Sequence, residues 1–566
     1  MRVRDIFVFI AAAQAVSAIA DVKELLRFTP KGAGLVVVVP HVNKLADSVG
    51  AFGRLIEVDS LANWNAKSFL DRFEMLGANA GIDVNGALVV VDNPLRGSCI
   101  LCELDNPQAW KDAAGAKELQ NGIFRFGDFV ESRAYFPSER VLLIAESEED
   151  LASLLAETGT GHGDLVRVFE NADVPSISVF INVEPWRMYA GPALMFARNS
   201  MMVGVQNAGQ GGMESAIEFW NLVFDTLSSL IDEAKSLRVD FRVTGEGVTA
   251  ALNAQFSAKG KAADYLAAAK PSSKDILRGL PDRAAPVMFA AEWTRGANTP
   301  CLSSMLVKAM AAKAAPKDAE AAARFNRAIE MNQKMYTLVS GYNGLVGLEN
   351  DKEGIISCGV NLSDAADDVT QQVVESYQLS PELLNAFTTG ISAETSHSRE
   401  ELSGKMIDVF KLGFDSEDEQ VRKALQSIYG KGTTVMITSV SDGAAYSIGP
   451  EAQAREALSQ IIAAAENPEK QLAQNTRVKT LRSRLPKHPA ALVMLDLPQA
   501  AGYLYDFARR FGAGLPELQI PAPADEVAGA GIYFEPTSIR AHVFVPADGA
   551  RAMVKFVTRV REARDR

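Results

Sequence analysis

Histidine and cysteine are scarce in this chain, with five of the first and four of the second in 566 residues. The histidines, His41, His162, His397, His488 and His542, stand singly. There is no H-E-x-x-H and no pair four apart, so local sequence holds no helical zinc site. Four cysteines in so long a chain exclude a disulfide-stapled scaffold. Aromatic residues make up only 8%. Of the five tryptophans, Trp64, Trp110, Trp186, Trp220 and Trp293, the middle three sit at helical positions among apolar neighbours and Trp293 at a strand end. Core packing is therefore expected of them, in preference to an exposed sugar-stacking surface. No lysine- or arginine-rich run interrupts a net charge of −13, which argues against nucleic acid or anionic lipid as a general partner. No run of eighteen apolar residues occurs, so no membrane span is expected beyond the leader described below.

Catalytic signatures are missing as well. No G-x-S-x-G elbow appears. Gly430-Lys431-Gly432-Thr433-Thr434 resembles a phosphate loop but lacks the upstream glycine and precedes a strand, so it reads as a helix cap and turn. Gly204 to Met213 lacks the setting of a dinucleotide fingerprint and reads as a surface loop between two helices. Asp415-Ser416-Glu417-Asp418-Glu419 lacks the spacing of an EF-hand; Ser416 as a helix N-cap followed by acids is the expectation. Asp364, Asp367 and Asp368 read the same way. His41 follows Pro40 at a strand end and is expected to have a surface or capping role. Cys99 and Cys102 form a C-x-x-C, but in a strand an offset of three puts the side chains on opposite faces, as two buried apolar residues. Cys301 and Cys358 could pair only if the fold brings them together. No residue is assigned to catalysis, to a cofactor or to a metal.

What is present is a leader and a recurring grammar. Arg2 and Arg4, the apolar stretch Ile6 to Val16 broken at Gln14, and Ala18-Ile19-Ala20 before Asp21 have the layout of a secretory signal peptide over residues 1–20. Four apolar strands each follow a proline and run into another: Leu35 to Val39, Ile177 to Val183, Val287 to Ala291 and Ala491 to Leu495. Proline, with its fixed φ and no N–H, suits a strand entry and the first turn of a helix. Hairpins followed by helices recur as well. The clearest alternates Leu237, Val239, Phe241 and Val243 with polar residues, turns at Thr244-Gly245-Glu246-Gly247, and leads to a helix with Ala262, Tyr265, Leu266 and Ala269 inward. Others span Leu88 to Leu104 with Asn106 and Pro107 opening a helix, Leu345 to Leu362, Val435 to Ile448, and Val527 to Val545. Long helices at Met213 to Lys235 and Lys317 to Leu338 read as a covering layer. Linkers are expected at 158–163, 270–273 and 512–524.

These features predict an α+β protein of repeated strand–helix–hairpin–helix units, with mostly antiparallel sheets covered by helices. Four units are expected after the leader, at 21–160, 170–272, 280–475 (with an extra hairpin and long helices) and 480–566. The strand–helix–helix–strand–strand order also occurs in polypeptide-transport-associated periplasmic modules. Leu280-Pro281-Asp282-Arg283-Ala284-Ala285-Pro286-Val287 and Leu485-Pro486-Lys487-His488-Pro489-Ala490-Ala491-Leu492 carry a Leu-Pro motif leading into an apolar strand. With the leader, they resemble an uncharacterised family of exported, repeat-built bacterial proteins, and that resemblance supplies no catalytic residues. The expectation is a non-catalytic, periplasmic or extracellular binding or scaffold protein whose partner is a protein or envelope ligand. An exported hydrolase with a site assembled only in three dimensions, or an inhibitory interaction module, are the alternatives.

Overall fold

The computed structural model describes residues 19–30, 32–93, 97–127, 132–156, 169, 174–207, 213–269, 274–292, 319–348, 355–379, 381, 391–419, 421–423, 425, 432–510 and 515–564. The expected leader cleavage site and apolar stretch fall largely outside them, as do Trp293, Cys301, Gly430, Lys431 and the linkers 158–163 and 270–273. The fold is α+β, and the strands described below pair antiparallel. Two compact units form. One takes Met1–Pro192, Leu230–Ala258 and Thr537–Val554, and the other Ala193–Ser229, Lys259–Pro536 and Lys555–Arg566.

In the first unit the strands are β1 (Leu35–Val39), β2 (Leu88–Asn93), β3 (Gly97–Glu103), β4 (Lys117–Glu118), β5 (Ile123–Phe126), β6 (Ser132–Ser138), β7 (Val141–Ala145), β8 (Ile177–Asn182), β9 (Ala234–Thr244) and β10 (Gly247–Phe256). Their order across the sheet is β4-β5-β6-β7-β3-β2-β1-β8-β9-β10. β1 lies at the centre and is apolar at every position because both its faces are covered. Val37 and Val39 pack with Leu45, Val49 and Phe52 of helix Val42–Leu55. Val36 and Val38 pack with Val22 and Leu25 of helix Ile19–Leu26 and with Leu151 and Leu154 of helix Glu148–Ala156. Each fully buried valine contributes roughly 1.5–3 kcal/mol relative to an exposed one.

In the second unit the strands are β11 (Val287–Glu292), β12 (Gly341–Leu348), β13 (Ile355–Leu362), β14 (Ile391–Leu402), β15 (Lys405–Ser416), β16 (Thr433–Val440), β17 (Gly443–Gly449), β18 (Ala491–Leu495) and β19 (Ala528–Glu535), in the order β14-β15-β16-β17-β13-β12-β11-β18-β19. Helix Ala366–Gln378 brings Val369 and Val373 against Val435, Ile437 and Phe410. Helix Glu451–Glu466 buries Ala457, Leu458, Ile461 and Ile462, and Ser447 Oγ donates to its Ala454 carbonyl at 2.7 Å. The last strand, β20 (Ser538–Pro546), belongs to the first unit, where it pairs antiparallel with β10.

The four proline-led strands pair two by two, β1 with β8 and β11 with β18. These ladders join segment 21–160 to 170–272 and segment 280–475 to 480–566. Several local expectations are corrected. Gly204 to Asn207 is the end of helix Arg187–Asn207. Tyr265 points outward, with its ring edge-on to Phe534 at 5.9 Å, while Ala262, Leu266 and Ala269 face in. Ser416 closes β15; Asp418 is the cap, its Oδ1 accepting the Val421 N–H at 3.2 Å. The described part of linker 512–524 is tied down: Tyr505 donates its hydroxyl to Pro516 O at 2.7 Å, and the Ala524 N–H donates to buried Asp496 at 3.2 Å. β4 to β7 and the β14–β15 hairpin have no counterpart in the sequence reading.

Candidate binding cleft

A cleft of about 760 Å³ opens in the first unit where helix Pro107–Ala114 meets the end of β3 and the β6–β7 turn. The sequence builds it locally. Asn106 takes the extended N-cap conformation and its Oδ1 accepts the Ala109 N–H at 3.0 Å, with Pro107 in the first turn. The N–H groups of Asp105 and Asn106 both donate to Gly81 O, at 2.9 and 3.1 Å. Gly81 has φ +77°, and a Cβ there would lie 2.1 Å from Asn106 O, so only glycine fits beneath the cap.

Trp110 anchors the helix from below. It is fully buried, donates Nε1–H to Leu76 O at 3.2 Å, and stands edge-on to Phe126 at 5.0 Å and Phe136 at 5.9 Å. One position on, the Lys111 ammonium lies 4.3 Å from the Phe124 ring centre and 4.5 Å from that of Phe136. The two rings, edge-to-face with each other, hold the cation by their quadrupoles. Asp105, Gln108, Ser138, Glu139 and Arg140 complete the lining, and the Arg140 N–H donates to Ser138 Oγ at 3.3 Å. Both signs of charge, an amide and an aromatic edge can therefore hold a polar ligand. No histidine or cysteine lines the cleft.

The residues singled out in the sequence lie elsewhere and do not converge. His41 is buried at the start of helix Val42–Leu55, its Nδ1 2.6 Å from Asn85 O and its Nε2 3.4 Å from Lys44 Nζ. It fixes a loop to the helix entry. Cys99 and Cys102 fall in two different cores, on opposite faces of β3. Burial pushes the Cys99 thiol well above its ordinary range and the Cys102 thiol up to about 12. Cys358 is a buried free thiol raised to about 11 by the same cause. Asp367 and Asp368 lie in the first turn of helix Ala366–Gln378, Asp367 accepting from Ser439 Oγ at 2.6 Å, and Asp364 pairs with Lys274 at 2.8 Å. Trp64 and Trp110 are buried, and Trp186 is half-buried with Nε1–H donated to Gly34 O at 2.9 Å. Among the described residues no three metal-ligating side chains gather, and no helix is long and apolar enough to cross a membrane.

Sequence reasoning missed the Arg278 lock in the second unit. This guanidinium makes two 2.7 Å hydrogen bonds to Glu292 and lies 3.2 Å from Asp442, and Asn343 Nδ2 donates to the Arg278 and Ile276 carbonyls. The carboxylates hold the Arg278 pKa above its usual value against the lowering effect of burial.

No protein-family model and no curated protein matches the chain. Among solved structures it is similar to crystal form I of TP0453, at 11% identity over 45% of this chain and 90% of that one, with a TM-score of 0.24. It is also similar to crystal form III of TP0453, at 10% identity over 46% and 90% of the two chains, with a TM-score of 0.23.

Proposed function

We propose that the chain is a non-catalytic, exported binding or scaffold protein of the cell envelope. The observation that carries the binding reading is the cleft, whose lining gathers Lys111, Arg140, Asp105 and Glu139 beside the Phe136 ring. Export rests on the basic, apolar and small-residue order of residues 1–20.

Within the same proposal, the chain is a repeat of one long unit. Connectivity supports it: β1 and β11 each pair with the hairpin that follows (β2–β3, β12–β13) and with a later proline-led strand (β8, β18), and β7 and β17 each close on the hairpin's second strand. Lys23-Glu24-Leu25-Leu26-Arg27-Phe28-Thr29-Pro30 and Lys274-Asp275-Ile276-Leu277-Arg278-Gly279-Leu280-Pro281 lead into the two central strands with lysine, acid, aliphatic, leucine, arginine and proline in the same order. Superposition of β1-β2-β3-β7-β8 on β11-β12-β13-β17-β18 in an experimental structure tests the repeat.

Titration of the full chain with envelope saccharide and peptide pools tests the binding reading. Saturable binding is expected, weakened about tenfold or more in Lys111→Glu, with no turnover of ester, glycoside or peptide substrates. Turnover, or binding indifferent to that change, overturns it.

A further inference from the structure

Helix Arg187–Asn207 is built inside out. Its two charged residues turn inward. Arg187 Nη2 donates to Ala234 O at 2.6 Å, and Arg198 donates to Asn221 Oδ1 at 2.7 Å and lies 3.3 Å from Asp225 Oδ1. Ala190 and Leu194 share that stripe and are half-buried. The large apolar side chains stand on the other side: Met188 is 57% exposed, Met195 64% and Phe196 75%. With Pro192 they fall at i, i+4, i+7 and i+8, which is one face of a helix. Tyr189, next to Met188, is exposed as well.

Helix Val42–Leu55 follows β1 as this helix follows β8, and there Leu45, Val49 and Phe52 are buried against the sheet. An outward phenylalanine and two methionines forgo that gain, and such a patch marks a docking surface. Charge and size decide what covers it. From Met188 to Asn207 the only charged residue is the inward Arg198, so the face offers an anionic or cationic partner nothing to pair with. Three side chains exposing roughly 100–150 Å² each also fall short of the ~800 Å² per partner that a stable protein–protein interface needs. A bilayer needs no complementary surface, because each apolar side chain that enters it leaves water independently. Asn199 and Ser200 are exposed beside the patch and can donate to headgroup oxygens.

We infer that the outer face of helix Arg187–Asn207, with Met188, Met195 and Phe196, docks on a zwitterionic lipid surface. The helix lies in the headgroup–acyl boundary, about 5–10 Å deep. It does not cross the bilayer, since among the described residues no helix is long and apolar enough to do so. The chain's net charge of −13 repels anionic lipid and this face holds no cation to offset it, so the attraction is apolar. The surface shares no residue with the Lys111 cleft and goes beyond the binding reading above.

Co-sedimentation of the full chain with phosphatidylcholine vesicles tests it, beside vesicles that also contain phosphatidylglycerol. Binding to the first is expected, with no tighter binding to the second and little change when salt is raised. Met195→Glu with Phe196→Glu should weaken binding about tenfold or more, since charges replace two apolar anchors, while the melting temperature reports an intact fold. Leu504→Glu alters a comparably exposed apolar residue on helix Leu497–Arg510 and should bind vesicles as the wild type does. Absence of sedimentation, tighter binding with phosphatidylglycerol, full affinity in the double variant, or an equal loss in Leu504→Glu overturns the site. Self-association that the double variant abolishes, without vesicle binding, assigns the face to a second copy and overturns the lipid assignment too. Lys111→Glu should bind vesicles normally, so failure of the cleft and failure of this surface are read separately.

Discussion

Arg278 and Glu292 grip each other through two parallel hydrogen bonds of 2.7 Å, with both side chains less than a tenth exposed. Arg278 lies in the segment leading into β11 and Glu292 is the last residue of that strand, so the pair clasps the strand's entry to its exit. Removing Arg278 leaves Glu292 buried without its counter-ion, which costs about 3–5 kcal/mol, whereas removing Glu292 leaves Arg278 still beside Asp442 at 3.2 Å. Arg278→Met should lower stability to urea by that order, and Glu292→Ala by less. Adding Glu292→Leu to Arg278→Met should recover most of the loss, because the buried carboxylate is then gone and Asp442 is partly solvated. A mild Arg278→Met variant would show the clasp to be dispensable.

The thiols give a second expectation. Burial raises the Cys102 pKa to about 12 and that of Cys358 to about 11, so neither forms much thiolate near neutral pH, and the thiolate is the reactive species. A disulfide reagent at pH 8 should leave both unmodified in the folded chain and react promptly in denaturant. Fast labelling at Cys102 in the native state would mean that the β3 core opens.

Some of this was legible in the sequence and some was not, for physical reasons. The offset of three between Cys99 and Cys102 placed them on two faces because a strand alternates strictly. The Asn106-Pro107 helix start and the Thr244 to Gly247 turn were equally readable, since capping and turn chemistry act over a few residues. β14 was hidden because Glu394, His397, Arg399, Glu400 and Glu401 give it the composition of a loop, and only its long ladder with β15 makes it a strand. Arg278 and Glu292 were hidden because their meeting depends on how the chain folds back. The Arg238–Asn253–Arg540 row exists only through the register of three strands, one of them from a distant part of the chain. Even so, Lys23 to Pro30 and Lys274 to Pro281 lay in plain view as a signal.

The β14–β15 turn offers a test of backbone strain. Leu402 pairs with Lys405, leaving Ser403 at φ +51° and Gly404 at φ +77° as a two-residue loop with both residues left-handed. Gly404→Ala adds a Cβ with nothing within 4 Å to clash with it, so any loss reports conformation alone. About 1 kcal/mol of destabilisation is expected, of the size a left-handed non-glycine residue costs. An unchanged urea midpoint would mean that the turn relaxes to another type.

His542 makes stability depend on pH. Its folded pKa lies below the ordinary histidine value, first through burial and then through Arg540, while Asp240 sits across Ala251 on the same face. Because the folded pKa is depressed, the unfolded chain binds the proton more readily. Stability from this residue is therefore full above the unfolded value near 6.5 and falls as pH drops through it. His542→Gln removes the titration and keeps a hydrogen-bonding side chain beside Arg540. The difference in unfolding free energy between wild type and this variant, measured from pH 8 to pH 5, should thus shift against the wild type on the acid side. A difference that stays flat across that range would show that His542 titrates alike in both states. A shift toward the wild type on acidification would mean that Asp240 stabilises the protonated ring more than burial and Arg540 oppose it.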